Sequence, residues 1–217
     1  NKDLIDFPRK DEMYGEVHFL RAFFYFELVK IYGDVPLFTN GRLTAGDSGT
    51  LTRMPKSEVY AVIESDLNSA ISALPAQKST DGRATSFTAH ALLGKVYLYQ
   101  EKYAEAANIL EPLVGLYTLP SDPGSVFLVS GENGPESVFE IQHSKESNGW
   151  NWGWMPQSTE GNFGVIHHGI RGYSGPTYSS GWSFNVPTDE FHKAFRSDDK
   201  RRDASILDIV KWADDNQ

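Results

Sequence analysis

Trp150, Trp152 and Trp154 stand two residues apart. In an extended segment, side chains at i, i+2 and i+4 point to one face, so this spacing predicts three indoles in a row. Such a strip measures about 500 Å², at the upper end of what a monomer shows to water. A sugar ring has apolar C–H faces and a hydroxyl edge, and indole matches the faces. Asn148, Asn151, Gln157, His167, His168, Arg171 and Asn185 carry the amide, imidazole and guanidinium groups that match the edge. Tyr173, Tyr178 and Trp182 extend the aromatic set. The stretch 147–184 holds eight Gly, eight aromatics and two charged side chains, Glu160 and Arg171. So little charge suits a neutral ligand, because an unpaired charge in a pocket costs free energy. The candidate ligand-binding residues are therefore Trp150, Asn151, Trp152, Trp154, His167, His168, Arg171, Tyr173, Tyr178 and Trp182. The competing reading is packing, since loop-rich regions often bury Trp. Gly181 and Pro187 predict a turn that tucks Trp182 inward.

Other chemistries fit less well. His167 and His168 are adjacent, and neighbouring side chains point in different directions, so no metal site is expected there. The aspartates at 198–203 lack calcium-loop spacing and are interleaved with Lys200, Arg201 and Arg202. The chain has no Cys, which excludes disulfides and thiolate ligands. No nucleophile elbow, phosphate loop or dinucleotide fingerprint is present. A glycosidase needs two carboxylates flanking the scissile bond, and the aromatic stretch offers only Glu160. No catalytic residue, metal or cofactor is expected.

The elements that must hold these residues are mostly helical. The 217 residues carry a formal net charge of −9, which disfavours nucleic acid and anionic membranes as partners. The most apolar stretch, Phe19–Tyr32, contains Arg21, Glu27 and Lys30 and is too short to span a bilayer. Asp11–Tyr32 reads as a helix apolar all round, hence a buried one, ended by Gly33 and Pro36. Arg21 within it requires a partner, expected to be a carboxylate on a neighbouring helix. Lys56–Leu74 repeats apolar residues at helical spacing between Pro55 and Pro75. Thr88–Gln100 and Tyr103–Tyr117 form a helix pair joined at Glu101–Lys102. Leu93, Gly94, Tyr97 and Ala106 fall at tetratricopeptide spacings, with Gly94 letting the two helices approach.

Beyond Pro120 the pattern changes. Ser137–Gln142 alternates like a short strand, and a short helix is expected from Pro187 to Phe195. A charged turn at Ser197–Arg202 and an apolar stretch at Ile206–Val210 follow, with no obvious closing element after Lys211. The expected fold class is mainly α with little strand. A tetratricopeptide-like helix-pair scaffold over 1–142 would carry a loop-rich, Trp/Gly-rich ligand-binding region over 143–217. The chain starts at Asn1 rather than Met, and a fragment or processed piece is expected.

Several blocks together resemble the SusD/RagB family: HFLRAFFYFELVKIYGDVPLFT at 18–39, YTL at 117–119 after the helix pair, and ESVFEIQ at 136–142. NVPTDEFHKAFRSDDKRR at 185–202 resembles the stretch leading to that family's Asp-Pro-Arg-like turn, here Asp199-Lys200-Arg201 without the proline. The resemblance implies an outer-membrane lipoprotein facing outward, whose lipid-anchor cysteine and C-terminal part are absent from this chain. It implies capture of an oligosaccharide or other small nutrient. It further implies a SusC-like TonB-dependent transporter as partner, with membrane contact only through the anchor. The alternative is a helical-repeat adaptor that binds a peptide or protein and no sugar.

Overall fold

The computed structural model describes residues 6–39, 44–49, 51–77, 80–142, 167–174 and 180–216. Helix α1, Lys10–Tyr32, contains no proline and runs until Gly33. Gly33 has φ 67°, a conformation open to glycine, and its N–H donates to Val29 O. Pro36 then prevents resumption. Strand β1, Val35–Pro36, pairs antiparallel with β2, Arg53–Met54. Helix α2, Lys56–Ala73, follows Pro55, and the Asp34 carboxylate accepts from Lys56 N at 2.8 Å. Helix α3, Ser86–Tyr99, opens on a reciprocal cap: Thr85 Oγ1 accepts from Thr88 N while Thr88 Oγ1 accepts from Thr85 N. Helix α4, Tyr103–Leu110, follows a turn whose Glu101 has φ 61°. Pro112, inside a 3-10 turn over Glu111–Leu113, stops α4 short of the expected end at Tyr117.

Packing follows the apolar periodicity. Val59, Ile63, Leu67 and Ala70 of α2 recur every three or four residues and are fully buried. They meet Phe19, Ala22, Phe26 and Val29 of α1, and Ala89, Leu93 and Val96 of α3. Gly94 stands at the α3–α4 crossing, where an added Cβ would lie 2.5 Å from Leu110 Cγ. These helix pairs form the tetratricopeptide-like scaffold, and the described residues are mainly helical with little strand.

Two expectations about this region are corrected. Helix α1 is not buried all round: Val17, Leu20, Phe24, Leu28 and Ile31 are exposed. The helices packed on α1 lie on its opposite stripe. Residues 137–142 form no strand ladder. Phe139 instead packs edge-to-face on Phe19, centroids 5.4 Å apart, and Val138 O accepts from Thr88 Oγ1 at 3.3 Å. Side-chain burial in the helical core, rather than backbone pairing, accounts for the apolar alternation.

Contacts divide the chain into two units. The first comprises Asn1–Thr118 and Pro135–Glu140; the second comprises Leu119–Gly134 and Ile141–Gln217. The second unit holds 3-10 turns at Pro123–Phe127 and Val129–Gly131, then helices α5, Asp189–Ala194, α6, Lys200–Ser205, and α7, Ile209–Asn216. Thr188 caps α5 by accepting from Phe191 N. The charged turn expected at 197–202 leads into α6, which Asp199 caps by accepting from Arg201 N. The tail beyond Lys211, expected to lack a closing element, belongs to α7.

Candidate functional site

Of the sequence candidates, His167, His168, Arg171, Tyr173 and Trp182 lie among the described residues. Trp150, Asn151, Trp152, Trp154 and Tyr178 fall outside them.

The described candidates sit on two segments, 167–174 and 180–186, that touch backbone to backbone. Arg171 and Gly181 form an isolated parallel bridge, with Gly181 N donating to Ile170 O at 3.0 Å. Ser183 N donates to Gly169 O and Phe184 N to His167 O, both at 3.0 Å. Gly181 is buried, and an added Cβ would fall 2.5 Å from Gly169 Cα. The tight spacing therefore requires glycine there.

This pairing fixes the side chains. The Arg171 guanidinium folds back onto Trp182 O, with Nε at 3.1 Å and the second amino group at 2.8 Å. Ser183 Oγ accepts from Arg171 N at 2.9 Å. His167 stacks on Trp182, centroids 5.7 Å apart at 30°, and Phe184 closes on Trp182 at 5.2 Å. Trp182 is half-buried in this cluster and Phe184 is exposed. The inward turn expected at Trp182 is therefore partial. His168 and Asn185 side chains meet at 3.1 Å. The two histidines thus serve different partners. Among the described residues no group of three or more metal-ligating side chains converges.

His168 and Asn185 also line a cleft of about 580 Å³ whose walls are Ile170, Val186, Ile206, Leu207 and Ile209. Apolar walls with a few convergent polar groups are the usual make-up of a small-molecule site. Arg171 and Trp182 stand beside it on the bridged segments.

Tyr173 departs from the group. It meets Trp212 of α7 edge-to-face, centroids 6.1 Å apart. Trp212 is not among the sequence candidates. The signal that places it on a helix is the i, i+4 spacing of Lys211 and Asp215, whose side chains pair.

Electrostatics in this unit are local. Asp199 is held down at about 2 by the Arg201 guanidinium, which bonds both its oxygens, and then by the Arg201 backbone N–H. Arg202 pairs with Asp203 at 2.7 Å. In the first unit, a smaller recess of about 180 Å³ lies between Phe19, Leu20 and Phe139, rimmed by the Glu16–Arg83 pair.

A helix-pair scaffold joined to a turn-rich unit with paired aromatic and polar groups is the class defined here. Residues 1–98 match the model of a family described as SusD-like, "Starch-binding associating with outer membrane". The chain is similar to SusD-like protein P2 of Formosa agariphila, 28% identical over 200 residues, covering 88% of this chain and 38% of that protein. It is also similar to a laminarin-binding SusD-like protein of known structure, at 34% identity and TM-score 0.85, covering 98% of this chain and 49% of the other. A SusD superfamily protein from Bacteroides vulgatus superposes with TM-score 0.57 at 35% identity, over 65% of this chain and 31% of the other. Residues 1–98 thus carry the SusD-like match, and nearly the whole chain is similar to a SusD-like protein of known structure. The chain spans between a third and a half of the length of these two fuller matches.

Proposed function

We propose that this chain is part of a cell-surface protein that captures a glycan and passes it to a SusC-type TonB-dependent transporter at the outer membrane. The observation that carries the reading is the likeness to the laminarin-binding SusD-like protein over 98% of the chain. The apolar cleft beside Trp182, with its His168–Asn185 rim, supports it as a place where a sugar face and its hydroxyls can both be met. The ligand contacts are proposed to be Trp150, Asn151, Trp152, Trp154, His167, His168, Arg171, Tyr173, Tyr178 and Trp182. The ligand is bound, not cleaved, and anchoring is through a lipid on the mature protein. Hand-over requires release, so affinity is expected in the micromolar range or weaker, about −8 kcal/mol or less in magnitude.

Calorimetry and Trp fluorescence with laminarin oligosaccharides test this reading on the 217-residue chain. Micromolar binding that weakens at least tenfold in Trp150→Ala, Trp152→Ala or Trp154→Ala is the expected result. A flat response across neutral glucans, mannans and xylans would favour the adaptor reading. Nanomolar affinity would argue against hand-over.

A further inference from the structure

Helices α5, α6 and α7 enclose a second cleft, of about 770 Å³, between Pro187 and Asp215. Its size is within the range of small-molecule sites. Trp212 lies in its wall, half-buried, and its ring is steadied edge-to-face by Tyr173. A ring fixed in this way presents apolar surface without losing rotamer freedom on binding. Around it the charged groups are already paired: Arg202 with Asp203, and Lys211 with Asp215. Asp208 Oδ1 accepts from Val210 N at 3.1 Å and Lys211 N at 3.0 Å. Carboxylates and cations held in such pairs keep spare lone pairs and N–H groups that can meet hydroxyls.

The charge balance selects among ligands. The lining carries four aspartates against one arginine and one lysine. An anionic ligand would meet a net repulsive field, and an isolated cation would find its carboxylates already bonded. A neutral polyhydroxylated ring avoids both problems. We propose that this cleft, with Trp212 as stacking surface, is a second contact site for a neutral sugar unit, adjoining the first cleft through the shared walls Pro187, Ile206 and Leu207. The inference rests on the glycan-binding reading above. It adds that sulfated or uronic-acid glycans are excluded here.

The test uses the 217-residue chain with laminarihexaose and with a sulfated laminarin oligosaccharide. The indole N–H of Trp212 is followed in ¹H–¹⁵N spectra, assigned by its loss in Trp212→Phe. A shift of that signal on adding laminarihexaose, with none on adding the sulfated form, is the expected result. Trp212→Ala should weaken hexaose binding at least fivefold by calorimetry. Lys211→Ala, at an exposed rim position, should weaken it two- to threefold with the circular dichroism spectrum unchanged. If the hexaose binds and moves the indole signals of Trp150, Trp152 or Trp154 while Trp212 stays still, the second site is wrong and the glycan reading stands. If no glycan binds at all, both fall. Equal binding of the sulfated form would overturn the stated selectivity.

Discussion

Arg21 of α1 grips both oxygens of Asp66 on α2, at 2.6 and 2.7 Å, and Asp66 is 3% exposed. His18 Nδ1 meets the same carboxylate at 2.7 Å, so two side chains one helical turn apart share one buried acid. Arg21 also reaches Thr39 O, and its guanidinium is held above its usual pKa, chiefly by the hydrogen bonds to Asp66. The pair clamps α1 to α2 beneath the exposed apolar stripe.

Removing one partner from such a pair strands the other. Asp66→Ala should cost about 3–5 kcal/mol in urea unfolding, because Arg21 is left partly buried without its carboxylate. The double variant Asp66→Leu with Arg21→Met should recover part of that loss. A loss below about 1 kcal/mol in the single variant would show that the pair is structurally idle.

The α3–α4 crossing gives a packing test. Gly94→Ala places a methyl against Leu110, and overpacking should cost about 1–3 kcal/mol despite the gain in helix propensity. Adding Leu110→Ala should make the pair less destabilising than the sum of the two singles. Thermal unfolding of the four species measures that coupling.

At the α3 start, Thr85→Ala removes both a cap acceptor and a partner for Thr88. A loss of about 1 kcal/mol is expected, read by chemical denaturation.

The cap of α6 predicts a pH response. The Asp199 pKa is lowered in the folded chain, to about 2 from an ordinary 3.8. Its stabilising contribution is therefore complete above the unfolded value and is lost as pH falls from about 4 through 2. NMR titration of the Asp199 carboxyl carbon should show a midpoint near 2. Arg201→Ala should move that midpoint upward, and a midpoint unchanged by that variant would refute the Arg201 cause.

At the bridged segments, Gly181→Ala should disrupt the Arg171–Gly181 contact, because the methyl has only Gly169 backbone in front of it. Fluorescence of Trp182 should shift to the red as the His167 and Phe184 contacts loosen.

Much of this protein was legible before its fold was seen. Helix positions follow from apolar spacing at Val59, Ile63, Leu67 and Ala70, and two of their ends from Gly33 and Pro75, because these are local backbone constraints. The need of Arg21 for a carboxylate was equally readable, since a buried charge must be paired. The same local logic failed where an outcome depended on distant neighbours. Apolar alternation at 137–142 suits a strand or an anchor on a core, and only the presence of Phe19 selects the anchor. Helix α1 reads as apolar on all sides, and which stripe is covered depends on where α2 and α3 pack. The ten candidate ligand residues were chosen by type and spacing. The separation of Tyr173 from His167 and Trp182, and its pairing with Trp212, arise from the path of the chain through unit two. Periodicity and breakers act over a few residues, so they are written in the sequence. Partners separated by tens of residues are chosen only when burial and hydrogen-bond satisfaction are settled together in three dimensions.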